Sequence, residues 1–305
     1  MTILYTHPIF AQHETPQGHP EQSARMKAVE TALEDVAGLD RRTPEMAGYD
    51  LIVRAHPGAY LERMEALIPD EGIIGLDPDT AMGPHSWDAA RHASGAACAA
   101  VDAVIAGEDK TAFVAARPPG HHAEKTRAMG FCMVNHIAVA ALHARAAHGV
   151  ERVAIVDFDV HHGNGTQDIF YDEPNVFYAS THQSPHYPGT GAANERGAGN
   201  ILNVPLPGGL PAMDYRTIFS AAVMPALNAF RPELVLVSAG FDAHAADPLG
   251  DFNLTEPDFV WITEQLLTVA HDHAGGRVVS LLEGGYDLPA LGRSAAAHVT
   301  ALARA

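Results

Sequence analysis

The 305-residue sequence predicts an α/β fold: a central, mostly parallel sheet with helices on both faces. Three observations lead there. Short β-type runs alternate with longer, Ala-rich helical stretches along the whole chain. The β-type runs are continuously apolar, as strands covered on both faces are. Four of them lead directly into segments dense in His, Asp, Gly and aromatic residues. In an open α/β sheet, ligands bind beyond the carboxyl ends of the strands.

The first expected strand is Ile3–Thr6 and the first helix Ser23–Val36. Helix Ser86–Ile105 precedes strand Ala112–Ala115, which enters Arg117-Pro-Pro-Gly-His-His122. Helix Asn135–Ala147 precedes strand Val153–Phe158, which runs into Asp157-Phe-Asp-Val-His-His-Gly-Asn-Gly165. Val176–Ala179 is the next strand and Tyr215–Phe230 the next helix. Strand Leu234–Ser238 enters Phe241-Asp-Ala-His244, followed by helix Pro257–His273. Strand Val278–Leu282 enters Gly284-Gly-Tyr-Asp287, and helix Pro289–Ala303 closes the chain. No Pro/Ser/Gly-rich linker, fixed-period repeat or low-complexity tract interrupts this order. With 47% hydrophobic residues there is ample material for a core, so residues 1–305 read as a single domain.

The formal charge of −18 argues against nucleic acid as a partner, since a phosphate-backbone binder is normally basic. It favours the approach of cationic substrates, although acidic surfaces mainly confer solubility. Cys98 and Cys132 have no metal-type spacing and suggest no disulfide framework, which fits a reducing compartment. The N-terminus lacks a basic region and a signal-length apolar run, and no apolar run is long enough to span a bilayer. A cytoplasmic protein without membrane association is expected. Of the 19 histidines, His143 and His148 read as surface or filler residues of an Ala-rich helix.

The segment 157–165 carries most of the chemistry. It packs two carboxylates, two imidazoles and an amide into nine residues. On an extended backbone Asp157, Asp159 and His161 would share one face. Burying unpaired charge is costly, so a core strand has no packing reason to end this way. Asp159, His161 and Asp242 form an oxygen/nitrogen set without thiolate, and three protein ligands suit a catalytic zinc that keeps a position open. Oxygen-rich sets also suit other divalent ions. His121 and His122, after a rigid Pro-Pro-Gly turn, could be ligands or an acid/base pair. If the other three hold the metal, this pair is free for proton transfer. Each would need a partner that fixes its tautomer, and Asp157 and Asn164 are the candidates. Tyr286 follows two glycines and could donate to a carbonyl that becomes an oxyanion. Phe131, in Met129-Gly-Phe-Cys132, and Tyr187, in His186-Tyr-Pro-Gly-Thr-Gly191, could line a slot for an aliphatic chain. Gly189-Thr-Gly-Ala-Ala lacks the third glycine of a dinucleotide loop and is discounted.

Together these motifs resemble the histone deacetylase superfamily, which includes acetylpolyamine amidohydrolases and acetoin-utilisation proteins. The resemblance begins at His13-Glu-Thr-Pro-Gln-Gly-His-Pro-Glu21 and passes through Leu76-Asp-Pro-Asp-Thr80 and the two His-rich segments. It ends at Ser238-Ala-Gly-Phe-Asp-Ala-His, Asp247-Pro-Leu-Gly-Asp251 and Glu283-Gly-Gly-Tyr. Asn164, where class I members carry Asp, and Gly-Phe-Asp-Ala-His resemble class II bacterial deacetylases. The resemblance implies an arginase-like fold and zinc-dependent hydrolysis of an N-acetyl amide. It assigns one zinc per chain to Asp159, His161 and Asp242, general base and acid to His122, and an electrostatic role to His121. Asp157 and Asn164 match the partners of those histidines, and Tyr286 the phenol that polarises the acetyl carbonyl. Gly130, Phe131 and Tyr187 match the walls of an acetyl-lysine tunnel, and Leu249 a rim residue. A structural potassium ion would use groups of Asp157, Asp159, His161, Ser180 and Thr181. The implied substrate is an acetylated lysine side chain or another acetylated amine. Leu249 in place of an acidic gate, and a chain too compact for the insertion of dedicated polyamine enzymes, lean towards a more open, general deacylase. The acidic charge pulls slightly towards a polyamine, and small acetylated metabolites or longer acyl groups are further alternatives. Two other readings are a silent metal-stabilised binding protein and a dimanganese ureohydrolase, which would need a second set of bridging carboxylates. His162 has no assigned role.

Overall fold

A computed structural model describes residues 1–305. Its strands are β1 (Thr2–Tyr5), β2 (Leu39–Arg42), β3 (Ile74–Gly75), β4 (Ala81–Met82), β5 (Thr111–Val114), β6 (Val153–Asp157), β7 (Val176–Gln183), β8 (Ile201–Leu206), β9 (Leu234–Ala239) and β10 (Val278–Leu282). Its helices are α1 (Ala24–Leu33), α2 (Tyr49–Ile52), α3 (Gly58–Ala66), α4 (Ser86–Ala106), α5 (His136–His148), α6 (Asn164–Phe170), α7 (Ala212–Phe230), α8 (Glu256–His273) and α9 (Leu288–Leu302). β3 and β4 form a small antiparallel pair. The other eight strands make one sheet in the order β2-β1-β5-β10-β9-β6-β7-β8, and every neighbouring pair in it is parallel.

The apolar runs explain the middle of the sheet. β5, β6, β9 and β10 are buried at every residue, because helices cover both faces. One layer contains α1, α9, α8 and α7, and the other α4 and α5. Local chemistry stops and starts the helices. Gly107 and Gly149 end α4 and α5 in the left-handed conformation. The Asn135 side chain caps α5, a Thr255/Asp258 capping box opens α8, and Asp287 caps α9. A single apolar cluster of 81 buried residues runs through sheet and helices.

The four strands that end in the chemical motifs, β5, β10, β9 and β6, are contiguous in the centre of the sheet. Being parallel, they deliver their motifs to one edge. Elsewhere the structure departs from the expected elements. β2 (Leu-Asp-Arg-Arg) and β8 lack a continuous apolar run, as befits edge strands. β7 continues past Ala179 through polar Ser180–Gln183. Ser180, Thr181 and His182 are buried but paired: Ser180 Oγ with His182 Nδ1 at 2.9 Å, and Thr181 Oγ1 with Tyr215 OH at 2.6 Å. β6 stops at Asp157, one residue early, and α6 begins inside the motif, at Asn164.

Candidate metal centre and active site

Asp159 and His161 follow the end of β6, and Asp242 follows β9, the adjacent strand. One ligand atom of each lies within 4.8 Å of the others. His161 Nδ1 is 3.0 Å from Asp159 Oδ1 and 3.2 Å from Asp242 Oδ2. Backbone N–H groups orient the carboxylates: His161 donates to Asp159 Oδ1, Gly284 to Asp159 Oδ2 and Val160 to Asp242 Oδ1, each at 2.9 Å. Gly284 packs against both carboxylates, and a Cβ there would collide with them. All three ligands are buried. Burial lifts the Asp242 carboxyl, helped by the Asp159 charge beside it, to about 7. Burial alone would lower the His161 pKa, but Asp159 and Asp242 raise it to about 10. Two carboxylates converging on one imidazole in a dry site is the electrostatics of a cation cage. The donor set of two oxygens and one nitrogen, open to a cavity at His161, fits zinc.

The predicted common face of Asp157, Asp159 and His161 is corrected. The strand ends at Asp157, so period-two alternation stops there. Asp157 turns away from the cage: its Oδ2 lies 3.0 Å from His121 Nδ1 and accepts from Tyr178 OH at 3.0 Å. His122 Nδ1 meets Asn164 Oδ1 at 2.7 Å, while Asn164 Nδ2 donates to Glu124 Oε1 at 2.8 Å. The amide orientation is therefore set, and His122 Nδ1 carries the proton. The neighbouring imidazoles, 4.0 Å apart between centroids, diverge electrically. Burial opposes charge on His121, but Asp157 and Asp159 outweigh it and raise its pKa well above the usual value. Burial, then the His121 and His161 charges, hold His122 well below it. Burial and the neighbouring charges push the two adjacent rings in opposite directions.

Tyr286 lies beyond β10, at the end of the Gly284–Gly285 turn. A buried network supports that turn. Arg25 donates from Nε to Gly285 O at 2.7 Å and from Nη2 to Glu283 O at 2.6 Å, with its guanidinium 4.9 Å from the Tyr286 ring centroid. Glu21 pairs with Arg25 at 3.0 Å and with Arg117, and its Oε2 is 3.3 Å from His13 Nε2. Burial raises the Tyr286 pKa well above the ordinary phenol value, so the hydroxyl remains a hydrogen-bond donor.

A cavity of about 200 Å³ joins these parts, lined by Asp79, His122, Gly130, Phe131, His161, His186, Tyr187, Leu249 and Tyr286. It brings together all four residues expected to contact substrate. Phe131 is held at φ 69°, a costly backbone for a bulky side chain, and stands edge-on to Tyr286 at 5.8 Å. Gly130, at φ 59°, leaves room that any Cβ would take from the His122 ring. Tyr187 stands edge-on to His122 at 5.2 Å. Two lining residues were not anticipated. His186 stacks on His161 at 4.9 Å, and Asp79 reaches the cavity from the turn before β4. His186 directly precedes Tyr187 and Asp79 lies in Leu76-Asp-Pro-Asp-Thr80, but neither spacing nor composition marks them.

The expectation for His143 is also corrected. It is buried rather than surface filler, and it shares Asp102 Oδ1 with His148, each Nε2 at 2.6 Å. Arg54 Nη1 donates to His143 Nδ1 at 3.0 Å, so its Nε2 is a donor to Asp102 and not a free metal lone pair. This cluster shares no residue with the first and supplies no bridging carboxylate for a binuclear centre. Ser180 lies opposite Asp157 in the β6–β7 register, with Thr181 next to it. Cys98 and Cys132 are free and buried. No helix is long and apolar enough to cross a membrane.

Comparison with known proteins gives a consistent result. The model of the histone deacetylase domain matches residues 19–302. A Pseudomonas aeruginosa protein named histone deacetylase-like amidohydrolase is 44% identical over 91% of this chain and 75% of its own. Histone deacetylase 14, chloroplastic, of Arabidopsis thaliana is 38% identical over 94% of this chain and 73% of its own. A probable deacetylase of Methanothermobacter thermautotrophicus is 41% identical over 99% and 90%. The crystal structure of the HDA15 HD domain superposes with a TM-score of 0.92 at 35% identity, covering 99% of this chain and 90% of that one.

Proposed function

The chain belongs to the histone deacetylase family, as a hydrolase acting on amide bonds, and from that premise we propose that it removes acetyl or related acyl groups from lysine side chains of proteins or peptides. In this reading residues 1–305 act as one deacetylase domain, with a single zinc ion held by Asp159, His161 and Asp242. When bound, zinc would supply Lewis-acid polarisation of the acyl carbonyl and acidify a water molecule. The remaining steps fall to the chain itself. Phe131 and Tyr187 flank the acyl-lysine stem. His122 Nε2 takes a proton as water adds to the carbonyl carbon, and the Tyr286 hydroxyl donates to the carbonyl oxygen as charge builds there. His122 then gives the proton to the departing lysine nitrogen as the C–N bond breaks, leaving the carboxylic acid and free amine, between which a proton then passes to give acetate and the ammonium form. His121, whose pKa Asp157 and Asp159 raise, would favour the developing negative charge nearby in its protonated form. Potassium at the Asp157, Asp159, His161, Ser180 and Thr181 groups belongs to the same proposal and would be structural.

The observation that carries this reading is the unequal pairing of the two histidines: His121 on the carboxyl group of Asp157, His122 on the amide of Asn164. Asp79 in the cavity lining favours a second reading, in which a small acetylated polyamine presents a cationic amine to that carboxylate. The test is zinc-loaded turnover on acetyl-lysine peptides, acetylpolyamines and longer acyl-lysines, with wild type and His122→Ala. His122→Ala should keep its zinc and lose about 10²- to 10⁴-fold in kcat on the preferred substrate. Near-normal turnover in that variant would contradict the mechanism, and a preference for acetylpolyamines would install the second reading.

A further inference from the structure

His162 directly follows the proposed zinc ligand His161, is buried, and takes no part in the chemistry above. Its hydrogen bonds can be assigned from the outside inward. Glu195 Oε2 accepts from Gln167 Nε2 at 2.6 Å and from the Gly191 N–H at 3.2 Å. Gln167 therefore turns its amide nitrogen to the carboxylate and its Oε1 to the interior. That oxygen accepts from Asn203 Nδ2 at 2.7 Å and lies 3.1 Å from His162 Nε2. An amide oxygen only accepts, so His162 Nε2 carries the proton and Nδ1 is left as an acceptor. Thr190 Oγ1, 2.8 Å from Nδ1, is the donor that meets it. Gly191 lies tightly over the same place. A Cβ on it would sit 2.6 Å from His162 Cγ, and its carbonyl accepts from His182 Nε2 at 3.0 Å.

Thr190 and Gly191 belong to the loop that carries Tyr187. Three residues before Thr190, the Tyr187 ring stands edge-on to His122 at 5.2 Å and to His161 at 6.1 Å. We propose that His162 is a positioning residue: through Thr190 it pins this loop to the metal-binding segment and so holds Tyr187 against His122. One short stretch of chain then carries a ligand of the metal and, next to it, the strut for the wall of the substrate cavity. Generic core packing would need only an apolar side chain here. A matched donor and acceptor, each with its own partner, needs an imidazole or its hydrogen-bonding equivalent. The consequence for catalysis rests on the deacylase reading; the strut does not.

The experiment uses the full, zinc-loaded chain. Thr190→Val removes the donor with little change of volume and alters no proposed zinc ligand, so zinc content should equal that of wild type. Amide hydrogen exchange at residues 187–191 reads the strut without any substrate, and should accelerate about tenfold. On an acetyl-lysine peptide KM should rise about five- to tenfold while kcat changes less than about twofold. In a Tyr187→Ala background, Thr190→Val should add nothing further to KM. His162→Gln, whose amide can still donate and accept, should recover part of the KM that His162→Phe loses. Unchanged exchange in Thr190→Val overturns the proposal, and so does a KM penalty that is equally large without Tyr187. Accelerated exchange in a chain that hydrolyses no acyl amine would support the strut and sink the deacylase reading instead.

Discussion

At His122 the proton sits on Nδ1, because Asn164 Oδ1 accepts it at 2.7 Å while Asn164 Nδ2 is committed to Glu124. A neutral amide orients the ring without charging it, and burial keeps the pKa low. Asn164→Asp places a negative charge on the same nitrogen. The His122 pKa should then rise, because an adjacent carboxylate favours the charged imidazole. A base must be neutral to accept a proton, so the acidic limb of the kcat/KM profile should move to higher pH. A pH–rate comparison of the two proteins checks this, and coincident limbs would show that Asn164 does not tune the base. Asp159, His161, Asp242 and the two histidines were legible because charge and imidazole at strand ends have no packing explanation. His186 and Asp79 were not, because each reaches the cavity through tertiary placement that no local spacing encodes. The buried pairing of His143 with Asp102 and Arg54 was hidden for the same reason: its partners come from α4 and from the turn after α2.

Among the elements, the four apolar strands could be read because burial on both faces forces continuous hydrophobicity. β2 and β8 could not, because edge strands need less of it and Arg41 and Arg42 break the pattern. The segment from His13 to Glu21 illustrates a third case. Its residues signalled a resemblance but no function, and the structure supplies a physical role. Glu21 joins Arg25, Arg117 and His13 in a dry network, and Arg25 holds the carbonyls of the turn before Tyr286. Burial would raise the Glu21 pKa, but Arg117 and His13 outweigh it and hold the carboxyl well below its usual value. Glu21→Gln leaves two buried guanidinium groups underpaired and should cost about 3–5 kcal/mol. The sign with pH follows from the depressed pKa. The stabilisation is fully present above the unfolded value, about 4.3, and is lost as pH falls through the folded one. Urea titrations should therefore show the largest gap between wild type and variant near neutrality and a narrowing gap below about pH 4. Equal midpoints at pH 7 would contradict the network's structural role.

On the scale of the whole molecule, one sheet edge collects the chemistry of four neighbouring strands. β6 and β9 present the metal cage, β5 the two histidines and β10 the phenol. This convergence could be anticipated in kind, since parallel strands place their carboxyl ends on one edge. The strand order that makes the four contiguous could not, because crossover connections leave no local mark. The proposed cage would use one ligand set opening into one cavity, so metal count separates a mononuclear deacylase from a binuclear ureohydrolase. The most direct measurement is a zinc titration of the chelator-stripped protein, followed by turnover on the preferred acyl amine. Activity should be absent without metal and should rise linearly to saturation at one zinc per chain. A requirement for two manganese ions, or full activity in the stripped protein, would contradict the proposed site.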